Sequence, residues 1–159
     1  MIELKSPADK LAFKKLVKSE CIKQINQRID NAKAAVSQAQ EAANSSDKST
    51  AGDKYETSRA MGQLDSDMNT KQLLEAEQEL GFLEKVEVNN LAEEIKIGSI
   101  FEMSDILFFV AIGLGPIKID DKRVMVVSSK SPFYENIKTM KAGNVFEFMD
   151  KMDQIKMVF

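Results

Sequence analysis

Apolar residues recur at alternating spacings of three and four along most of the first half of the chain. The first run comprises Ile22, Ile25, Ile29, Ala32, Val36, Ala39 and Ala43. The second begins at Met61, passes through Leu64 and Met68, shifts its phase, and resumes at Leu73, Ala76, Leu80 and Leu83. Such spacing places an apolar seam along a helix, and the shift is a stutter that changes local winding without ending the helix. The pattern predicts two long helices packed antiparallel.

A polar segment, residues 44–56, separates the two runs and predicts the tip of a helical hairpin. It contains a glycine and three carboxylates, Asp47, Asp53 and Glu56. Asp53 and Glu56 have the spacing of a capping box, which gives both a structural role at the start of the second helix. A capped carboxylate still keeps lone pairs for another ligand, and Asp47 has no comparable structural role. The tip therefore either turns the chain only or also presents acids to a partner.

The first helix is predicted to begin at Ser6-Pro7, because serine caps helices and proline fits the first helical position. Asp9 suits the positive end of the helix dipole. A broader apolar set follows: Leu11, Phe13, Leu16 and Val17. We expect this end of the helix to pack against more than the second helix.

The second half of the chain changes from helical periodicity to short apolar runs separated by turn residues. Predicted strands cover residues 100–104, 106–112, 117–119, 124–128, 145–149 and 155–159, with a turn at residues 113–116 and a helix from Pro132 to about Met140. The helical pattern ends near residues 89–90. The predicted fold class is α+β, with a helical hairpin in residues 1–90 and a small, mostly antiparallel sheet domain with one short helix in residues 91–159.

Composition excludes several kinds of chemistry. The 159 residues include no histidine and one cysteine, Cys21, so histidine-dependent catalysis, histidine-ligated zinc and an intrachain disulfide are excluded. The net charge of −3 argues against free-standing DNA binding, although the first arm is rich in lysine and the second in acids. The longest apolar run, residues 106–114, is too short to span a bilayer, and the N-terminus has no apolar signal segment. We expect a cytoplasmic protein.

The order of elements and several motifs resemble the bacterial Gre transcript cleavage factors, which bind the secondary channel of RNA polymerase. Three motifs in the second half carry the resemblance: Ile97-Gly98-Ser99, Ser131-Pro132, and Lys141-Ala-Gly143 before the next strand. Tyr55 and Ala60 match the tyrosine and alanine that follow the Gre tip. The resemblance covers nearly the whole chain in element order and is specific at these few positions.

The resemblance implies an FKBP-like C-terminal domain and a transcription elongation factor that is not itself an enzyme. RNA polymerase would be the partner, with indirect contact to nascent RNA. Asp47, Asp53 or Glu56 would lie near the catalytic metal of the polymerase, and Tyr55 would position the tip. No cofactor would be stably bound, and Mg²⁺ would be shared with the polymerase active site, where carboxylates add oxygen ligands to a hard cation.

Two other functions stay open at the level of sequence. Gre factors carry an acidic pair in the tip, and Lys48 and Ala51 stand at those two positions, with Asp47 and Asp53 one and two places away. One alternative is therefore a channel-binding inhibitor or regulator without cleavage activity. Another is a coiled-coil interaction or chaperone-like protein with an FKBP-like binding module, and fold analogy alone adds a prolyl isomerase. The oligomeric state is also open.

Overall fold

The computed structural model describes residues 2–46 and 52–159, and for residues 43–46, 52–56 and 58 it describes the backbone alone. The chain divides into two compact units: one comprises Met1–Lys23 and Phe82–Phe159, and the other comprises Gln24–Gly81. Two long helices contribute to both units, α1 (Pro7–Ser46) and α2 (Gly52–Glu84). The division by contacts thus assigns residues 2–23 to the unit that contains the sheet, whereas the sequence pattern placed a boundary near residue 90. The predicted α+β class, with a helical hairpin before a sheet, is confirmed.

The start of α1 has the predicted cap. The Asp9 backbone N–H donates to Ser6 Oγ at 3.1 Å, and the Ser6 N–H donates back to Asp9 Oδ2 at 3.1 Å. These bonds satisfy donors that the first turn of a helix leaves free, and they hold the pKa of the Asp9 carboxyl below its usual value. Phe13 and Val17 are fully buried in the unit that contains the sheet, as the broad apolar set predicted, while Leu16 is exposed.

In the hairpin unit, the seam of α1 is buried at Ile25, Ile29 and Ala32 and half-buried at Val36 and Ala39. The seam of α2 keeps one continuous heptad phase from Gly62 to Leu83. Its members are all buried or half-buried: Gly62, Ser66, Asn69, Leu73, Ala76, Leu80 and Leu83.

The predicted stutter is therefore wrong. Met61, Leu64 and Met68 are 62%, 63% and 62% exposed, because an unshifted heptad turns them out of the seam. Small residues take their place opposite the small end of the α1 seam. The polar side chain of Asn69 has a hydrogen-bond partner in the seam, because its Nδ2 donates to the Ala35 carbonyl oxygen at 3.4 Å.

The two helices extend further into residues 44–56 than the pattern predicted. Residues 44–46 continue α1, and residues 52–56 belong to α2. Helix α2 ends at Glu84 rather than near residue 89. The Val86 N–H donates to the Leu83 carbonyl at 3.1 Å. An irregular segment follows, in which the side chains of Val86 and Val88 are buried.

Lys18 of α1 completes the C-terminal end of α2. Its Nζ donates to the carbonyl oxygens of Glu84 and Val86, at 2.9 Å in each case. Carbonyl groups at a helix C-terminus lack partners within the helix and attract cations, and the last turn of α2 contains no basic residue. Lys18 of the first helix thus supplies the cation that the last turn of the second helix lacks.

The main sheet has five strands in the order β3-β4-β2-β1-β7. The strands are β1 (Ile100–Met103), β2 (Ile106–Ala111), β3 (Gly115–Ile119), β4 (Lys122–Ser128) and β7 (Met157–Val158). All neighbouring strands pair antiparallel except β2 and β4, which pair parallel. The turn predicted at residues 113–116 is wrong in its second half, because Gly115 and Pro116 begin β3. Proline is tolerated there because β3 is an edge strand.

A separate two-stranded sheet pairs β5 (Val145–Phe148) with β6 (Lys151–Gln154). Sequence analysis missed β6, whose polar residues lack the alternation of a half-buried strand. Helix α3 (Pro132–Ile137) ends earlier than the predicted Met140, and Thr139 follows it at a φ of 68°. The core between these elements comprises Ile95, Phe101, Met103, Val110, Ile137, Phe146 and Ile155.

Candidate functional site

The predicted tip residues fall at the limit of the described chain. Asp47 lies outside the described residues. Asp53, Tyr55 and Glu56 lie in the first two turns of α2, where the backbone is helical and the side chains lie outside the described part. Because the helix already includes Gly52, Asp53 lies inside its first turn, and the capping role of its carboxylate stays a prediction. The backbone brings Asp53 and Glu56 within one turn of each other.

One face of the hairpin carries an open groove of about 340 Å³ between the two helices. Its lining consists of Arg28, Asn31, Ala32 and Ala35 from α1 and of Gln72, Glu75, Ala76 and Glu79 from α2. Arg28 Nη1 lies 3.4 Å from Glu79 Oε2 across the groove, and both side chains are partly exposed. Three alanines form the apolar part of the lining, so the groove is shallow and has room for side chains from outside.

The C-terminal motifs act as caps and turns. Ser131 is the N-cap of α3: its Oγ accepts from the Tyr134 N–H at 3.2 Å and donates to the Ser128 carbonyl at 2.7 Å. Pro132 takes the first helical position, as predicted from the Ser-Pro pair. Gly143 has a φ of +92°, and its N–H donates to the Ile155 carbonyl at 2.7 Å. The three residues fix α3 and the start of the β5–β6 hairpin.

Gly98 is the most constrained of the motif residues. Its φ is +89°, and a Cβ built on it would overlap the Glu87 carbonyl oxygen and lie 3.2 Å from Val86 Cγ1. The neighbouring Ser99 is buried, and its Oγ accepts from the Lys96 N–H at 3.0 Å. The Ile97-Gly98-Ser99 motif thus brings the chain from α2 into the sheet by a route that only glycine permits.

The elements that Ser131 and Gly143 fix carry a cluster of phenylalanine rings. Phe133 of α3 lies at its centre, with ring centroids 5.7 Å from Phe108, 6.3 Å from Phe146 and 5.2 Å from Phe148. Phe148 is 40% exposed. Edge-to-face and tilted ring pairs at these separations are favourable beyond the area they bury. The rings join α3 to the β5–β6 hairpin.

The β5–β6 hairpin is apolar on its exposed side as well. Val145, Met149 and Met152 are 52%, 81% and 69% exposed. Met149 and Asp150 form the turn, with φ values of 52° and 63° that non-glycine residues seldom adopt. Exposed apolar side chains together with an unfavourable backbone turn are typical of a contact surface rather than of a solvated loop.

Two buried groups have shifted pKa values. Lys14 is 1% exposed, and its Nζ donates to the Asn90 carbonyl at 2.7 Å. Burial, with the nearby Lys96 cation, lowers the pKa of Lys14 to about 8, and Glu87 opposes the shift. Burial raises the pKa of the Cys21 thiol to about 12, so the only cysteine is unreactive at neutral pH.

A second, more polar cavity of about 510 Å³ lies at one end of the main sheet. Charges of both signs line it, among them Glu102, Asp105, Lys122 and Arg123. The Lys156 Nζ donates to Oδ1 of Asp105, which lines this cavity. Within residues 2–46 and 52–159, no cluster of three histidine, cysteine or acidic side chains is arranged to hold a metal ion. Neither long helix, over its described length, is apolar enough to cross a bilayer.

Sequence analysis identified the caps and turns but missed the exposed apolar surfaces. The apolar pattern predicts Met61, Leu64 and Met68 in the seam, and it does not predict the exposure of Val145, Met149 and Met152. The exposure of Met61, Leu64 and Met68 had a signal in the sequence. Extending the heptad back from Leu83 without a phase shift already places these three residues outside the seam. Burial of Lys14 had no signal in the sequence, because lysine on a helix is normally solvated.

Comparison with known proteins gave no relative: neither family models, nor curated proteins, nor solved structures include a match to this chain.

Proposed function

We propose that this protein is a transcription elongation factor that inserts its helical hairpin into the secondary channel of RNA polymerase and stimulates cleavage of backtracked transcripts. The observation that carries the proposal is a conjunction of architecture and motifs. A long helical hairpin precedes an α+β unit whose single described α-helix after the hairpin begins at a Ser131-Pro132 cap and is followed by the positive-φ Gly143 turn.

Two further observations support the proposal. Gly98 occupies a backbone position that excludes every side chain, so the third motif of the resemblance also has a definite structural role. The hairpin is long enough to reach into a channel, because residues 24–46 of α1 extend about 35 Å at about 1.5 Å per residue.

In this proposal the protein supplies ligands rather than a complete active site. Asp47, Asp53 and Glu56 would offer carboxylate oxygens to a Mg²⁺ ion that the polymerase holds, and the polymerase would perform phosphodiester hydrolysis. The exposed side of the β5–β6 hairpin would contact the polymerase outside the channel. Its apolar side chains Val145, Phe148 and Met152 offer a surface for burial against another protein.

The test uses purified core RNA polymerase stalled on a backtracked transcript. We expect faster shortening of the RNA with the wild-type chain, and loss of that effect in the variant Asp47→Ala/Asp53→Ala/Glu56→Ala. A matched control removes three exposed acids from the shank of the same helix, Asp65→Ala/Asp67→Ala/Glu77→Ala, and keeps the stimulation. Equal losses in both variants would assign the effect to overall charge and would contradict a role for the tip.

A second candidate is a channel-binding regulator without cleavage activity. The observation that favours it is the displacement of the acids, since Lys48 and Ala51 stand where the Gre pattern has its acidic pair. This candidate predicts slower nucleotide addition and no transcript shortening. Binding of the fluorescently labelled chain to core polymerase separates both candidates from a free-standing interaction protein, which would show no affinity for polymerase.

A further inference from the structure

One face of the hairpin, here called the groove face, carries exposed apolar side chains towards the tip. It carries the groove beside the Arg28–Glu79 pair and continues from there towards the tip. Positions seven residues apart share a helix face, so Glu75 in the groove lining leads to Met68 and then to Met61. On α1 the same step leads from Arg28 to Ala35, which also lines the groove. Towards the tip the groove face thus presents methionines beside Asp65 on α2, and a small alanine on α1.

Solvent exposure is unfavourable for this surface. Met61 and Met68 are each 62% exposed, and Leu64 beside them is 63% exposed. Single exposed apolar residues are ordinary, but a contiguous stripe on a charged helix is typical of a contact surface. Leu74, another exposed apolar residue of α2 at 53%, lies about 120° around the helix from Met68 and provides an internal comparison.

We propose that the groove face is the contact surface for a second copy of this chain, in which two hairpins pair side by side with their tips at the same end. A two-fold axis along the pair then sets α1 of each copy against α2 of the other. This arrangement repeats between copies the antiparallel contact that α1 and α2 already make within one copy. The proposal does not depend on the proposed function.

Side-chain size makes the face complementary to itself. The bond from Asn69 Nδ2 to the Ala35 carbonyl sets the heights of the two helices, and it places the preceding residue, Met68, near the level of Ala35. The two-fold axis preserves height, so Met68 of one copy meets Ala35 of the other. Large side chains fit where the facing helix has small ones, which is how helices interdigitate.

Charge supports the same pairing. Among the residues that line the groove, Arg28 is the one cation, and Glu75 and Glu79 are the acids. Within a copy Arg28 pairs with Glu79. The two-fold axis brings Glu75 of the other copy within about one helical turn of Arg28, because Glu75 lies one turn from Glu79 on α2. In each half of the interface, Glu75 and Glu79 of one copy thus face Arg28 of the other copy.

The size of the face predicts a weak dimer. Residues 24–42 of α1 extend about 28 Å, and two helices side by side are about 20 Å wide. The buried area is then about 550 Å² per copy and about 1,100 Å² in all, below the usual range of stable interfaces. We expect a dissociation constant between about 10 and 1,000 µM, so the monomer predominates at nanomolar concentration.

Sedimentation equilibrium from 5 µM to about 2 mM tests the pairing. We expect a monomer–dimer equilibrium in that range, at least about tenfold weaker in Met68→Glu and unchanged in the control Leu74→Glu. Circular dichroism verifies that both variants keep their helix content. A chain that stays monomeric throughout, or equal weakening by both variants, would overturn the proposal and leave the face to a different protein.

Disulfide trapping tests the arrangement. In a Cys21→Ser background, chains carrying Ala35→Cys are mixed with chains carrying Met68→Cys and oxidised at high concentration. The proposed axis places these two positions together and keeps each away from its own counterpart, so the mixed disulfide predominates. Predominance of either same-site disulfide would contradict side-by-side pairing with aligned tips, since cysteines must approach within about 7 Å to bond.

Discussion

At the scale of single residues, Lys14 carries the most unusual environment among the described side chains. It is buried, it bonds to the Asn90 carbonyl, and its pKa is lowered to about 8 against 10.5 for a free lysine. The unfolded chain therefore binds more protons than the folded chain between these two values. The free energy of unfolding gains from this residue as pH rises from about 8 towards 10.5, and the gain is absent at pH 7, where lysine is protonated in both states.

The variant Lys14→Met isolates this contribution. We expect wild type to gain on the order of 1–3 kcal/mol in stability from this site between pH 7 and pH 10, a gain that the variant lacks. At pH 7 the variant is as stable as wild type or more so, because it removes a buried charge and keeps the side-chain volume. Urea unfolding at the two pH values measures the difference. Parallel pH profiles for the two proteins would contradict the account of Lys14.

Gly98 is a residue that no side chain can replace. The substitution Gly98→Ala combines a positive φ with an overlap with the Glu87 carbonyl, and we expect a loss of at least about 2 kcal/mol in the free energy of unfolding. The control is Gly81→Ala in α2, where a Cβ meets nothing within 4 Å. That control stabilises the chain by about 0.5–1 kcal/mol, because alanine favours helix. Equal effects in chemical denaturation would show that the Gly98 backbone relaxes freely.

At the scale of elements, the continuous seam of α2 is the feature with the largest consequences. It keeps Asn69 half-buried against α1 and turns Met61, Leu64 and Met68 outwards. A polar residue in a seam specifies register at a cost in stability.

We therefore expect Asn69→Leu to raise the thermal unfolding midpoint of the helices, by an amount that corresponds to about 1 kcal/mol. The change replaces a long hydrogen bond with apolar burial. Thr70→Leu, at the exposed neighbouring position, leaves the midpoint unchanged within about 0.5 kcal/mol. Circular dichroism at 222 nm follows both variants. A midpoint that falls in Asn69→Leu would favour the phase-shifted seam instead.

The predictability of each element follows from how local its determinants are. The cap at Ser6, the Ser131-Pro132 start of α3 and the turn at Gly143 depend on a few neighbouring residues, and sequence analysis identified all three. The phase of α2 depends on what α1 presents opposite it, and the pattern of apolar letters favoured the wrong residues. Strand β6 is polar and pairs only with β5, so it carries no apolar alternation of its own.

The residues of the candidate site differ in the same way in how well the sequence predicts them. The resemblance to Gre motifs located Gly98, Ser131 and Gly143 in the sequence, and the structure gives the two glycines a positive φ and Ser131 a capping role. The exposed stripe on α2 and the apolar side of the β5–β6 hairpin were not located in this way, because exposure depends on packing between distant segments. Tip acids are a third case: Asp53 and Glu56 share the first turns of α2, and Asp47 lies outside the described residues.

At the scale of the whole molecule, the proposed function and the proposed pairing assign separate tasks to separate surfaces. The tip would act at the polymerase metal, the β5–β6 hairpin would contact the polymerase surface, and the groove face would pair with a second copy. A weak dimer is compatible with a polymerase-binding monomer, because the monomer predominates at nanomolar concentration. In the proposed function the tip carboxylates supply oxygen ligands to Mg²⁺, so the central claim concerns that ion.

The most direct measurement is the rate of transcript cleavage in a backtracked polymerase complex, recorded over a series of Mg²⁺ concentrations with and without the protein. If the tip acids add ligands for the metal, the protein raises the rate at least about tenfold at low Mg²⁺ and lowers the Mg²⁺ concentration needed for half-maximal cleavage. The variant Asp47→Ala/Asp53→Ala/Glu56→Ala binds polymerase and changes neither quantity. Identical rates and identical Mg²⁺ midpoints with and without the wild-type protein would contradict the proposed function.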